Sequence, residues 1–144
     1  MDKLTKEFVQ YLMYTEKIFK KKNIKLPLND EKSSLELVTI DLKEKLMLDI
    51  DRKSKIELKV TLQNRYSTIP LVRIDLNSPP HMFSDGSRTA RDHIHFYNPT
   101  TEENDTFDLI DFEEFDCTDL SFASVFDQFC RIFNIEAKII QGVI

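Results

Sequence analysis

Apolar and polar residues alternate with a period of two through much of the stretch from 34 to 97, and follow helical spacing towards the two ends. Near the N-terminus, Leu4, Phe8, Tyr11, Leu12, Ile18 and Phe19 recur three and four apart, which predicts an amphipathic helix over 2–22. Lys20, Lys21 and Lys22 suit the negative end of its dipole, and Asn23 and Pro27 stop it. Strands are predicted at 34–42, at 45–51 with Leu46, Leu48 and Ile50 on one face, and at 55–62 with Ile56, Leu58, Val60 and Leu62 inward. The connections between them are short enough to force hairpins, hence an antiparallel meander. Residues 63–68 read as a polar connector, 69–76 and 92–97 as two further strands, and 105–110 as a short one. A helix capped by Thr118 or Asp119 runs to Phe133 on an apolar face of Leu120, Ala123, Phe126, Phe129, Cys130 and Phe133, and 135–140 reads as a last strand.

Together these elements predict one α+β domain over 1–144, an antiparallel meander sheet of five to seven strands with an N-terminal and a C-terminal helix packed on one face. Its parts are the N-terminal helix (1–23), the sheet (34–97), an acidic segment (99–118), and the helix plus final strand (119–144).

Composition narrows the function classes. The chain has 144 residues, the size of one ordinary domain. Its two glycines disfavour a glycine-rich phosphate loop. No apolar run approaches the roughly 18 residues a membrane helix needs, and the first ten residues lack the apolar core of a signal peptide, so a cytoplasmic protein without membrane partners is expected. Cys117 and Cys130 are the only cysteines; Cys130 sits in the apolar helical pattern and Cys117 among acids, which fits neither a disulfide nor a reactive thiolate. The net charge of −5 is uneven: residues 1–98 carry 18 Lys/Arg against 14 Asp/Glu, whereas 99–144 carry 2 against 11. A nucleic-acid surface is therefore open only to the first part.

Candidate chemistry gathers in 69–97. All three histidines, His81, His93 and His95, fall within fifteen residues, with Arg88 and Arg91 between them. Strand periodicity puts His93, His95 and Tyr97 on one face, opposite Ile94 and Phe96; Arg73 and Asp75 likewise share a face. Paired as a hairpin with the apolar sets facing the core, the strands bring Arg73 near His95 and Asp75 near His93. Arg65 and Tyr66 fall towards the other end.

Four readings compete. His81, His93 and His95, with Arg65, Arg73 and Tyr97, fit metal-independent phosphodiester cleavage, imidazole moving protons and guanidinium meeting developing charge. His93-x-His95, completed by His81 or an Asp, is a recurrent ligand geometry for a metal, but spacing does not identify which residue is the third ligand. The acidic block, with Glu102, Glu103, Asp105, Asp108, Asp111, Glu113, Glu114 and Asp116, fits a non-enzymatic contact with a basic protein partner, anchored by Phe107, Leu109, Phe112 and Phe115. In the fourth, the polar groups form an Asp-anchored network that fixes the hairpin.

The runs LMLDIDR, VTLQNRY, LVRIDLNSPPH, SDG and HIHFY resemble a family of small uncharacterised proteins from low-GC Gram-positive bacteria and their phages or mobile elements. Matching positions include Arg52, Gln63, Asn64, Arg65, Tyr66, Arg73, Asp75, Asn77, Pro79, Pro80, His81, Gly86, His93, His95 and Tyr97; Ser78, Phe83, Ser84 and Asp92 depart from the pattern. The resemblance implies a role in conflict between host and parasite. The expectation is a binding protein acting through its acidic surface, an inhibitor of a nucleic-acid-binding host protein of the anti-CRISPR kind, with no cofactor or metal. The alternative is a toxin-like, metal-independent RNase built on His81, His93 and His95, with RNA as its partner. Oligomeric state is left open.

Overall fold

The computed structural model describes residues 4–136. The elements are α1 (Lys6–Tyr14), β1 (Lys17–Phe19), β2 (Lys32–Thr39), β3 (Lys45–Arg52), β4 (Val60–Tyr66), β5 (Ile69–Leu76), β6 (His93–Asn98), β7 (Glu103–Asp108), a single 3-10 turn (Leu109–Asp111), α2 (Phe122–Ile132) and β8 (Ile135–Glu136). The strands form one open sheet in the order β7-β6-β5-β4-β3-β2-β1-β8. Every neighbouring pair is antiparallel except β1 and β8. The α+β class, the meander and the two helices agree with the alternation of the sequence; the sheet has eight strands, beyond the five to seven expected.

The helix-side face of the sheet carries the core. Leu35, Leu37, Leu46, Leu48, Ile50, Val60, Leu62, Val72, Ile74 and Ile94 fall in register on that side. They cluster with Val9, Leu12 and Met13 of α1 and Val125, Phe126 and Phe129 of α2. Ser121 caps α2, its hydroxyl accepting from the Ser124 amide, two to three residues beyond the caps expected from sequence. Gln128 of α2 donates to the Asp116 carbonyl and accepts from its amide, tying the acidic segment to the helix.

Three sequence expectations are corrected. The helix over 2–22 ends at Tyr14, and Lys17–Phe19 form β1, because these residues supply the edge to which both β2 and β8 pair. Lys17 is fully buried there, its Nζ donating to the carbonyls of Leu12 (2.9 Å), Met13 (3.0 Å) and Thr15 (2.8 Å) at the end of α1. Residues 55–59 are a loop with Ile56 largely exposed, and the strand begins at Val60. The Gln63–Tyr66 stretch, expected as a connector, continues that strand: Leu62 and Asn64 face the core while Gln63 and Arg65 face outward. The last expected strand is present as Ile135–Glu136; the rest of 135–140 lies outside the described residues.

Candidate functional site

The strand registers turn the face opposite the core into two polar rows running across the sheet. One row passes through Ser34, Asp49, Gln63, Arg73, His95 and Thr106, on β2 to β7. The next passes through Asp51, Thr61, Asp75, His93 and Asp108, on β3 to β7. Period-two alternation produces this: residues two apart share a face, so Arg73 and Asp75, and His93 and His95, project together opposite Ile74 and Ile94. Arg73 opposite His95 and Asp75 opposite His93 are the pairs that the alternation predicts.

Asp75 is the hub. Its Oδ2 lies 2.9 Å from His95 Nε2 and 3.3 Å from His93 Nε2, and accepts from Arg73 Nε at 3.0 Å. Its Oδ1 accepts from the Thr61 hydroxyl at 2.6 Å. Behind the rings, His93 Nδ1 lies 3.0 Å from the Ala90 carbonyl and His95 Nδ1 lies 2.8 Å from Thr106 Oγ1. Asp75, His93 and His95 are all buried.

Proton positions follow from this geometry. The Ala90 carbonyl only accepts, so His93 carries its proton on Nδ1, and a neutral ring then turns a lone pair towards Asp75. His95 Nε2 also lies 3.0 Å from Arg73 Nη2. One ring nitrogen cannot both donate to a carboxylate and accept from a guanidinium, so one of those contacts is not a hydrogen bond. Burial opposes charge on Asp75, but the hydrogen bonds from His95 and Thr61 and the charge of Arg73 outweigh it, and the carboxyl stays well below the usual range. Burial lowers the His95 pKa, Arg73 and His93 add to that, and Asp75 acts against it.

The long connection between β5 and β6 roofs this end of the sheet. Its arms pair through Ser78 to Arg91, His81 to Thr89 and Phe83 to Ser87, and Gly86 at its tip takes a φ of 91°. The His81 amide donates to Thr89 Oγ1, which fixes the backbone, while its exposed imidazole has ring contacts alone, against Phe83 and His95. The result is a cleft of about 410 Å³ lined by Asp51, Lys53, Thr61, Arg73, Asp75, Ser78, Pro79, Pro80, His81, Met82, His93 and His95.

Of the residues expected for catalysis, His81, His93, His95 and Arg73 converge on this cleft. Arg65 and Tyr97 do not line it. Arg65 is taken by Asp49, with Nε to Oδ2 at 2.6 Å and Nη2 to Oδ1 at 3.2 Å. Tyr97 pairs with Asn104 towards the far end of β6. Residues that spacing alone did not single out are Lys53, Thr61 and Thr106. Thr61 and Thr106 are identifiable only after register is known, as row neighbours of Asp75 and His95.

The acidic block divides. Glu102, Glu103, Asp105, Asp111, Glu113, Glu114 and Asp116 are exposed. Asp108 is half-buried, and its Oδ1 accepts from the Ala90 amide at 2.6 Å, bracing the turn before β6. Asp116 accepts from the Thr118 amide and hydroxyl. The expected apolar anchors do not face solvent: Leu109, Phe112 and Phe115 belong to the core and Phe107 packs against it. Phe107 stacks on Phe96, and Phe112 meets the same ring edge-on. Their spacing is that of a segment closing over a core.

Residues 4–135 match the model described as "Family of unknown function (DUF6978)". The chain belongs to that family. The match agrees with the likeness to a family of small uncharacterised proteins drawn from the sequence. No curated protein and no solved structure matches the chain. Among the described residues, no helix is long and apolar enough to cross a membrane.

Proposed function

We propose that this DUF6978 member cleaves RNA in the cleft beneath the β5–β6 connection. The observation that carries the reading is His81: an exposed imidazole with no hydrogen bond of its own, lining the same cleft as Arg73 and Lys53. His93 and His95 are buried, with Nε2 of each turned towards Asp75 and Nδ1 against Ala90 or Thr106, so proton transfer falls to the exposed His81. In the step, His81 takes the proton of a ribose 2′-hydroxyl and the 2′-oxygen attacks phosphorus. The P–O5′ bond breaks, leaving a 2′,3′-cyclic phosphate and a 5′-hydroxyl protonated by the imidazolium. Arg73 and Lys53 supply the positive charge that the phosphorane needs. Lys55 and Lys59 lie in the loop that follows Lys53, and the Lys59 carbonyl accepts from the Lys53 amide, so further cations are near in the chain for flanking phosphates.

The test is incubation of the purified chain with a mixed-sequence oligoribonucleotide, with product ends read by mass spectrometry. Cyclic phosphate ends are expected, with rates falling at least about 100-fold in His81→Ala. Intact RNA with the wild type, or full activity in the variant, sinks the reading.

A second reading keeps the acidic surface. Ile110 is 75% exposed beside Asp111, Glu113 and Glu114, an apolar anchor within a carboxylate field. That arrangement fits a basic protein partner, as for an inhibitor of a host nucleic-acid-binding protein in phage or mobile-element conflict. Charge reversal of Glu113 and Glu114 to Lys, scored by loss of a captured partner, tests it. Both readings place the chain in the cytoplasm.

A further inference from the structure

We infer that Asp75, His93 and His95 form a site for one divalent first-row transition ion. The inference goes beyond RNA cleavage and stands without it. Asp75, His93 and His95 each offer one ligand atom, and these lie within 4.8 Å of one another. Two ligands on a tetrahedral ion with bonds of roughly 2.1 Å are about 3.4 Å apart. The His93–Asp75 and His95–Asp75 separations, 3.3 and 2.9 Å, are close to that spacing.

The outer partners make the case stronger than proximity alone. Each ligand group has its second heteroatom held: His93 Nδ1 by the Ala90 carbonyl, His95 Nδ1 by Thr106 Oγ1, Asp75 Oδ1 by the Thr61 hydroxyl. His93, which gives Nδ1–H to the Ala90 carbonyl, presents Nε2 as a bare lone pair, the form that binds a metal, and His95 does the same once its proton moves from Nε2 to Nδ1, where Thr106 Oγ1 accepts it. The same cation removes the two awkward contacts described above. With Nε2 of both rings unprotonated, nothing has to donate from His95 to Asp75. The lone pair of His93 then has a positive partner in place of a carboxylate.

Arg73 is the resident cation at this point, bridging Asp75 Oδ2 and His95 Nε2. Its side chain is 36% exposed, against 6% for Asp75, so it can swing into the cleft while the ligands stay in place. Ligand type points to zinc-like or iron-like ions over magnesium or calcium, which favour all-oxygen shells. The strands hold the three groups from two adjacent β-strands, a rigid frame.

The experiment is titration of untagged, chelator-stripped protein with Co(II), followed by visible d–d absorption and calorimetry, with Zn(II) as competitor. One equivalent is expected, displaced by Zn(II). His93→Ala and His95→Ala should weaken it at least about 100-fold. Thr106→Val, which removes only a hydroxyl behind His95, should weaken it roughly tenfold and keeps the test open if a histidine variant fails to fold. Arg73→Met should tighten it roughly tenfold by removing a competing charge. Three results overturn the assignment: no saturable binding, equal affinity in folded His93→Ala and His95→Ala, or the intense near-ultraviolet bands of thiolate ligation, which place the ion on Cys117. None of these readouts involves RNA, so the site and the nuclease reading stand or fall separately.

Discussion

Replacing Lys17 with Met should destabilise the protein by an amount that depends on pH, and the dependence is the informative part. Met keeps the stem of the buried side chain but removes the nitrogen that donates to Leu12, Met13 and Thr15. These carbonyls close α1, where the chain turns directly into β1 without a glycine. Leaving them without donors in the interior should cost on the order of 1–3 kcal/mol at pH 10, where even the neutral amine still donates. Burial pulls the Lys17 pKa from its ordinary 10.5 down to about 7. Between those two values the unfolded chain binds the proton and the folded chain does not. Wild-type stability should therefore rise with pH across roughly 7 to 10.5, with a ceiling near 1.4 kcal/mol per pH unit. The three carbonyls favour the ammonium, which narrows the pH window over which that slope applies. Met has no proton to bind, so its penalty relative to wild type should shrink as the pH falls from 10 to 7, and at the ceiling slope it vanishes or reverses before pH 7. Urea unfolding of both proteins at pH 7, 8.5 and 10 measures this. A penalty that is flat, or that grows on acidification, refutes the argument that desolvation dominates at Lys17.

Asn64 lies fully buried on the core face of β4 with neither amide atom hydrogen-bonded, so Asn64→Leu should raise stability by about 1–3 kcal/mol; a lower urea midpoint would count against the apolar surroundings inferred for it. Asp75→Asn should remove part of the acid sensitivity. The folded carboxyl is held below its ordinary value, so its contribution is present above about pH 4 and is lost as the pH falls. Wild type and variant should converge in thermal melting as the pH drops from 6 to 3, and a constant gap would exclude Asp75 as the group responsible.

The sheet was largely legible because alternation fixes faces before it fixes register. Leu46, Leu48 and Ile50, and Arg73 and Asp75 against His93 and His95, could be placed from the chain alone. Misreadings arose where two patterns coincide. Ile18 and Phe19 continue the helical spacing of residues 4–12, yet pairing with β2 and β8 outweighs propensity there. Lys55 to Leu58 alternate as a strand would, but Val60, not Ile56, meets the core. Gln63 and Arg65 look like linker residues because the carboxylate that both bond, Asp49, is distant in sequence. The cleft needed the β5–β6 connection to fold back, and no local signal places His81 over His95.

The strand order has a consequence for the timing of assembly. From β1 to β7 each strand pairs with the next one in sequence, so the sheet can grow outward as the chain lengthens, hairpin by hairpin. All of the groups that meet at Asp75 have been made once Asp108 has been added. Its other side must wait for α2, and the β1 edge for β8, some twenty-five residues later at roughly 5–20 residues per second. A nascent chain thus holds a finished polar face and an unsealed apolar one for a few seconds. In that interval Leu62 on β4, the strand against which α2 packs, is part of the surface that a chaperone would meet first.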